Sequence, residues 1–303
     1  VDDHGLNQLA WEGVQQALGE DLIDRADAIE TIDSRDRAKN IAAFAEAGYD
    51  LIVTVSFAMG DDTRFAADNW PDTRFIGIDQ PPEVNEEEGE PKPRPNLALL
   101  TFPEDQGGFL AGVLAAETTQ TQKIGALCEE ESIPEAWRYC EGFRAGVFYV
   151  NPDLRPRVVY HPSHNPDDWF NDPAWGEEQI PAMQTFGADV LFAAGGATAL
   201  GALQAAAAQG IRVIGADEDM FYQAEAQDFV LSSAVKRADL GVYDLIRLAV
   251  AGTFPGGEFT GQYALASFHS LERWVLPSVR PRLDIVQRGL ADGSLETGAP
   301  REP

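Results

Sequence analysis

The chain has 303 residues, more than one hydrophobic core usually organises, so two lobes are expected. Its hydrophobic content of 44% supplies real cores and argues against disorder. Asp and Glu total 50 against 22 Lys and Arg, and the resulting net charge of -28 excludes nucleic-acid binding, because a phosphate backbone would be repelled.

Only a handful of the basic residues are lysines, and an acidic, lysine-poor surface suits high ionic strength, where salt screens self-repulsion. No apolar run approaches the roughly 18 residues that a membrane span needs. The chain opens at Val1 inside a motif, without a signal peptide, which implies that a leading segment has been removed.

Strand and helix patterns alternate, the mark of a parallel α/β architecture. Asn7 to Leu18 reads as a helix, with Trp11, Val14 and Leu18 on one face. Arg35 to Ala47 is a second helix, closed by Gly48. Leu51 to Ser56 is a β-branched buried strand, Asp61 to Asn69 a helix, and Arg74 to Asp79 the next strand. Pro81 to Pro95, with Glu86, Glu87 and Glu88 in a run, reads as a solvated insertion. Leu97 to Phe102 resumes as a strand, and Glu104 to Glu117 is a helix whose Gly107, Gly108 and Gly112 permit close packing.

The second half repeats the alternation. Its strands are Ile124 to Cys128, Arg157 to Tyr160, Val190 to Ala194, Arg212 to Ala216 and Val230 to Val235. Its helices are Pro134 to Tyr149, Gly176 to Phe186, Thr198 to Gln209 and Arg237 to Ala251. Ligands of open parallel sheets sit at the carboxyl ends of strands, which nominates Ser56, Asp79, Cys128, Gly195 and Asp217.

Enzyme signatures are missing from the chain: no nucleophile elbow, no Walker loop, and no dinucleotide fingerprint after a strand. Gly195-Gly196-Ala197-Thr198 could cradle a phosphate at a helix start, or simply make a tight turn. Asp217-Glu218-Asp219 could hold a divalent metal, and Val1-Asp2-Asp3-His4 shares part of an aspartate-rich opening found in nucleoside hydrolases, without the rest of that motif. His161 and His164 stand beside prolines that prevent helical alignment. Cys128 and Cys140 admit two readings, a disulfide in an exported protein or two separate buried thiols. Trp11, Trp169 and Phe170 offer flat faces for stacking a ring, or serve a core.

Several motifs then line up in order. They are Asp2-Asp3-His4-Gly5-Leu6-Asn7-Gln8 with Trp11-Glu12-Gly13, and Leu99-Leu100-Thr101-Phe102 with Glu104 to Gly112. Next come Ile133-Pro134, Glu141 to Gly146 and Tyr149 to Pro152. Gly187 to Val190, Ala194 to Gly196, Ile214 to Asp217 and Val235 to Asp244 complete the set. Together they resemble the basic membrane protein family, substrate-binding lipoproteins of ABC transporters related to the purine nucleoside receptor A type. Leu6 and Gly5 depart from that family's usual phenylalanine and serine.

The resemblance implies a type I periplasmic-binding-protein fold, an α/β architecture of two Rossmann-like lobes joined by three crossovers. One lobe would be residues 1–102 plus 236–262, and the other 103–235 plus 263–303. It implies a solute receptor rather than an enzyme, needing no cofactor, outside the cytoplasm and lipid-anchored through a segment beyond this chain. The expected partners are a purine nucleoside or related base, held between the lobes, and a transporter permease.

The family's binding roles fall on particular residues. Trp11 would stack on the base, while Asp2 or Asp3 with Asn7 would read its edge. Asp79 would face the ribose, and Phe170 would supply the opposing aromatic, with Trp169 the competing register. Gly195 or Gly196 would offer backbone amides, and Asp217 with Lys236 would hold the sugar hydroxyls. Alternatives from other classes are a sensory ectodomain with the same fold, or a nucleoside hydrolase.

Overall fold

The computed structural model describes residues 4–84, 91–166, 168–223, 225, 227–300 and 302. The chain forms two compact units: Val1–Phe102 with Arg237–Gln262, and Pro103–Lys236 with Tyr263–Pro303. The chain therefore passes from one unit to the other three times. Lys236 falls in the second unit, one residue from the boundary drawn on the sequence.

The first unit holds helices α1 (Leu6–Gly19), α2 (Arg37–Glu46), α3 (Gly60–Asn69) and α9 (Ala238–Val250). Its sheet has the order β1 (Leu51–Val55), β2 (Arg74–Ile78), β3 (Leu97–Thr101), β9 (Gly257–Thr260), all parallel. Phe75, Ile76, Ile78 and Leu100 are fully buried in it, as expected of strands covered on both faces. Helix α1 lies on α9 at close range, because a Cβ on Gly13 would stand 2.3 Å from the carbonyl oxygen of Asp239.

The second unit holds α4 (Glu104–Thr118), α5 (Pro134–Val150), α6 (Pro173–Glu178), α7 (Ile180–Phe186), α8 (Gly196–Ala208) and α10 (Val279–Ala291). Its six strands run in the order β10 (Tyr263–Leu265), β8 (Val230–Lys236), β7 (Arg212–Asp217), β6 (Val190–Ala194), β4 (Ile124–Cys128), β5 (Arg157–Tyr160). Only the edge pair β10–β8 is antiparallel.

Helices α4 and α5 interlock through glycines. A Cβ on Gly108 would meet the Tyr139 carbonyl oxygen at 2.0 Å, and one on Gly142 would meet that of Asp105 at 2.2 Å. Gly112 and Gly146 repeat the arrangement one turn on, so backbone touches backbone where side chains would hold the helices apart.

Four readings from the sequence change. The helix expected at 35–47 starts as a 3-10 turn, Ser34–Asp36, in which the Asp33 side chain accepts the Arg35 amide. The helix expected at 176–186 is two short ones, α6 and α7, each with proline in its first turn, where no amide is needed. Helix α8 begins two residues early, directly on Gly196. Strands β9 and β10, of four and three residues, and helix α10 were not read at all. The Glu86–Glu88 run lies outside the described residues.

Cys128 and Cys140 form a disulfide, their Cα atoms 6.3 Å apart. It ties the carboxyl end of β4 to the second turn of α5.

Candidate functional site

In the second unit the carboxyl ends of β7 and β8 bring Asp217 and Lys236 together. Lys236 Nζ stands 3.2 Å from Asp217 Oδ1, and the lysine is almost wholly buried. The hydroxyl of Tyr139, from α5, donates to the same Oδ1 at 2.5 Å. Tyr139 has one proton, so the Tyr263 hydroxyl, 2.5 Å away, donates to it in turn.

Burial and the neighbouring Asp217 charge push the Tyr139 phenol far above its ordinary range, so it remains a donor. Glu104 backs this group; it is buried, bound by Arg138 Nε at 2.8 Å, and its carboxyl is raised by that burial against the pull of Arg138 and Lys236.

The consequence for Asp217 is an asymmetry. Oδ1 is held by a tyrosine and a lysine, while Oδ2 has no hydrogen bond among the described residues and the side chain is 41% exposed. Its backbone is left-handed, with φ of 70°. Ser56, Asp79 and Phe170 also have positive φ, at 92°, 55° and 61°, as do His4, Asp21, Gln122 and His269. Non-glycine residues held there cost energy, and such strain collects at binding sites.

Phe170 presents an exposed ring, whereas Trp169 is half-buried and donates Nε1–H to the Ser163 carbonyl at 3.1 Å. The loop bearing Phe170 is pinned to the start of α8: Ala197 N–H donates to the Phe170 carbonyl at 2.9 Å. A Cβ on Gly196 would lie 2.7 Å from that oxygen, and Gly195 has φ of 135°, so both positions require glycine.

In the first unit, Asp79 follows β2 and its amide donates to the Leu100 carbonyl at 3.0 Å. Asn7 and Trp11 lie on α1. They line an open groove of about 920 Å³ that runs along β1, the edge strand of this sheet, and the extended residues 22–32. Of the candidates named from sequence this groove touches only those two, so size alone does not mark the site. Asp2 and Asp3 lie outside the described residues.

Lys236 pairs with Asp217, the residue the sequence grouped with it, and Asp239 pairs instead with Arg237 at 2.6 Å. In the run 217–219, Asp217 is bound by Tyr139 and Lys236, while Asp219 lies 2.7 Å from His269 Nε2. His161 is buried, accepts the Ser163 amide on Nδ1 and so offers Nε2–H to Asp172, 3.3 Å away. No group of three or more His, Cys, Asp or Glu among the described residues could hold a metal ion.

Tyr139, Tyr263 and Glu104 escaped the sequence reading, as did Glu129, a fully buried carboxylate directly after β4. The strand-end rule had pointed one residue short, at Cys128.

Two parallel α/β units, between which the chain passes three times, define the type I periplasmic-binding class of fold. Solved structures of that class superpose closely. The ABC transporter solute-binding protein of Conexibacter woesei gives a TM-score of 0.75 over 97% of this chain and 94% of that one at 23% identity. A solute-binding protein of Aeropyrum pernix gives 0.68 over 99% and 91% at 22% identity.

The family model described as ABC transporter substrate-binding protein PnrA-like matches residues 1–262, and the chain belongs to that family, Bmp. The nucleoside-binding protein BmpA of Lactococcus lactis is 29% identical over 275 residues, 85% of this chain and 74% of that protein. Basic membrane protein A of Borreliella burgdorferi is 31% identical over 262 residues, 85% and 72% of the two chains. A Pyrococcus horikoshii relative, 27% identical over 85% of this chain and 63% of its own length, is described as an uncharacterised lipoprotein.

Proposed function

We propose that this ABC substrate-binding protein captures a purine nucleoside outside the cytoplasm, delivers it to a transporter permease, and binds without cleaving it. The observation that carries the reading is Asp217 Oδ2, half-exposed and without a hydrogen bond among the described residues, beside an oxygen already fixed by Tyr139 and Lys236. A carboxylate oxygen accepts from adjacent hydroxyls, so the site suits the cis-diol of ribose. Lys236 can donate to the same hydroxyls. The nucleoside-binding description of the Lactococcus lactis relative supports the ligand class.

Asn7, Trp11 and Asp79 of the first unit, and Phe170, Gly195, Gly196, Asp217 and Lys236 of the second, are the ligand contacts we propose among the described residues. Trp11 and Phe170 supply flat faces for a two-ring base, and purines are favoured over pyrimidines for that reason. A lipid anchor ahead of this chain fits the lipoprotein description of the Pyrococcus horikoshii relative. No helix of the described residues is long and apolar enough to cross a membrane.

The test is calorimetry with guanosine, inosine, adenosine and cytidine, each ligand being recovered afterwards and chromatographed. Saturable binding of a purine nucleoside, recovered intact, supports the reading. Binding of none, or release of free base, overturns it.

A further inference from the structure

We propose that Glu129 is a specificity residue that bars phosphorylated ligands, by placing an internal carboxylate at the anion position beside the N-terminus of α8. The inference rests on reading these strand ends as the ligand site, and it assigns the exclusion to one side chain.

Helix α8 starts directly after β6 on Gly195 and Gly196, with no capping side chain at its N-cap. A glycine turn from a parallel strand into a helix N-terminus is a favourable place for a phosphate, since unpaired amides and the helix dipole both attract an anion. In this protein the place is already taken. A Cβ on Gly195 would stand 2.5 Å from Glu129 Cγ and 2.9 Å from its Oε1, so the carboxylate lies against the N-cap residue itself.

Glu129 is fully buried, and neither of its oxygens has a hydrogen-bond partner of regular geometry among the described residues. Its nearest polar neighbours belong to the same corner. The Thr198 hydroxyl accepts the Asp172 amide at 3.0 Å, which leaves its own proton to point elsewhere. Burial pushes the Glu129 carboxyl up, the Thr198 hydroxyl, the Phe170 amide and His161 act against that rise, and Asp172 adds to it.

The sequence makes this position rigid. Glu129 follows Cys128, whose disulfide to Cys140 fixes the end of β4 on α5. A phosphate approaching the Gly195–Gly196 turn would meet a like charge in a poorly hydrated setting, where no Lys or Arg among the described residues pairs with Glu129. A neutral hydroxyl or ring nitrogen meets no such repulsion. The helix terminus is thereby made useless for phosphate and left usable for an uncharged solute.

The test uses the whole chain and inorganic phosphate as probe, followed by phosphorus NMR titration near neutral pH. Glu129→Gln removes the charge at constant shape, and Glu129→Ala also opens the space. Glu131→Gln, at an exposed neighbouring position, removes the same charge from the surface. Circular dichroism melts establish that each variant is folded.

The expected result is at least a tenfold gain in phosphate affinity for the folded Glu129 variants over the parent chain and over Glu131→Gln. Unchanged phosphate affinity in folded Glu129→Gln and Glu129→Ala overturns the proposal, and so does an equal gain in Glu131→Gln. Phosphate is titrated without a nucleoside, so a chain that binds no nucleoside yet gains phosphate affinity on losing Glu129 sinks the nucleoside reading and keeps this one.

Discussion

At the scale of single residues, the proposed function places the selectivity on Asp217. A ribonucleoside can give Oδ2 two adjacent hydroxyl donors, a 2′-deoxynucleoside one, and a free base none. Losing one charge-assisted bond costs about 1.5–3 kcal/mol, so deoxyguanosine should bind roughly tenfold or more weakly than guanosine. Guanine should be weaker again, because it displaces water from the carboxylate without offering it a hydroxyl donor. Calorimetric dissociation constants for the three check the order, and a free base binding more tightly than its ribonucleoside removes the diol role from Asp217. Asp217 was legible from its place at the carboxyl end of a strand, whereas Lys236 was reached only through the family resemblance. Tyr139 and Tyr263 were not, since 124 residues separate them and only folding brings their hydroxyls together. Glu129 left one faint signal, an acidic residue immediately after a fully apolar strand. Of the three consecutive glutamates there, Glu129 and Glu130 are buried and only Glu131 is exposed.

At the scale of elements, alternation and glycine placement showed most of the framework. Strands such as β4 and β6 were readable because burial on both faces demands an uninterrupted apolar run. The glycines of α4 were readable as packing devices, although their partners on α5 became visible only in three dimensions. Strands β9 and β10 were invisible because four and three residues are too few to show a period, and β10 is fixed by its pairing with β8. The disulfide was one of two open readings. It closes a loop with a sequence separation of 12, for which chain entropy suggests roughly 2–3 kcal/mol of stability. Cys128→Ala with Cys140→Ala should therefore melt several degrees lower, and the parent chain, denatured without reductant, should titrate no free thiol. Two thiols per chain would refute the bridge.

For the whole molecule, charge is the dominant property. A net charge of -28 on 303 residues repels itself, and many of the ion pairs, such as Arg35–Asp33 and Lys39–Asp36, are exposed and contribute little. Salt shortens the Debye length from about 30 Å at 0.01 M to about 3 Å at 1 M, which weakens the repulsion. The melting temperature should climb across that range in sodium chloride, and a flat or falling series contradicts the expectation of a protein suited to salt. The same acidity disfavours anionic solutes over neutral ones, in agreement with a nucleoside as cargo. The most direct measurement of the central claim is a calorimetric titration of the purified chain with guanosine, with the nucleoside recovered and chromatographed. The account predicts saturable binding of one guanosine per chain, returned unchanged; no heat with any purine nucleoside, or guanine appearing in the eluate, would contradict it.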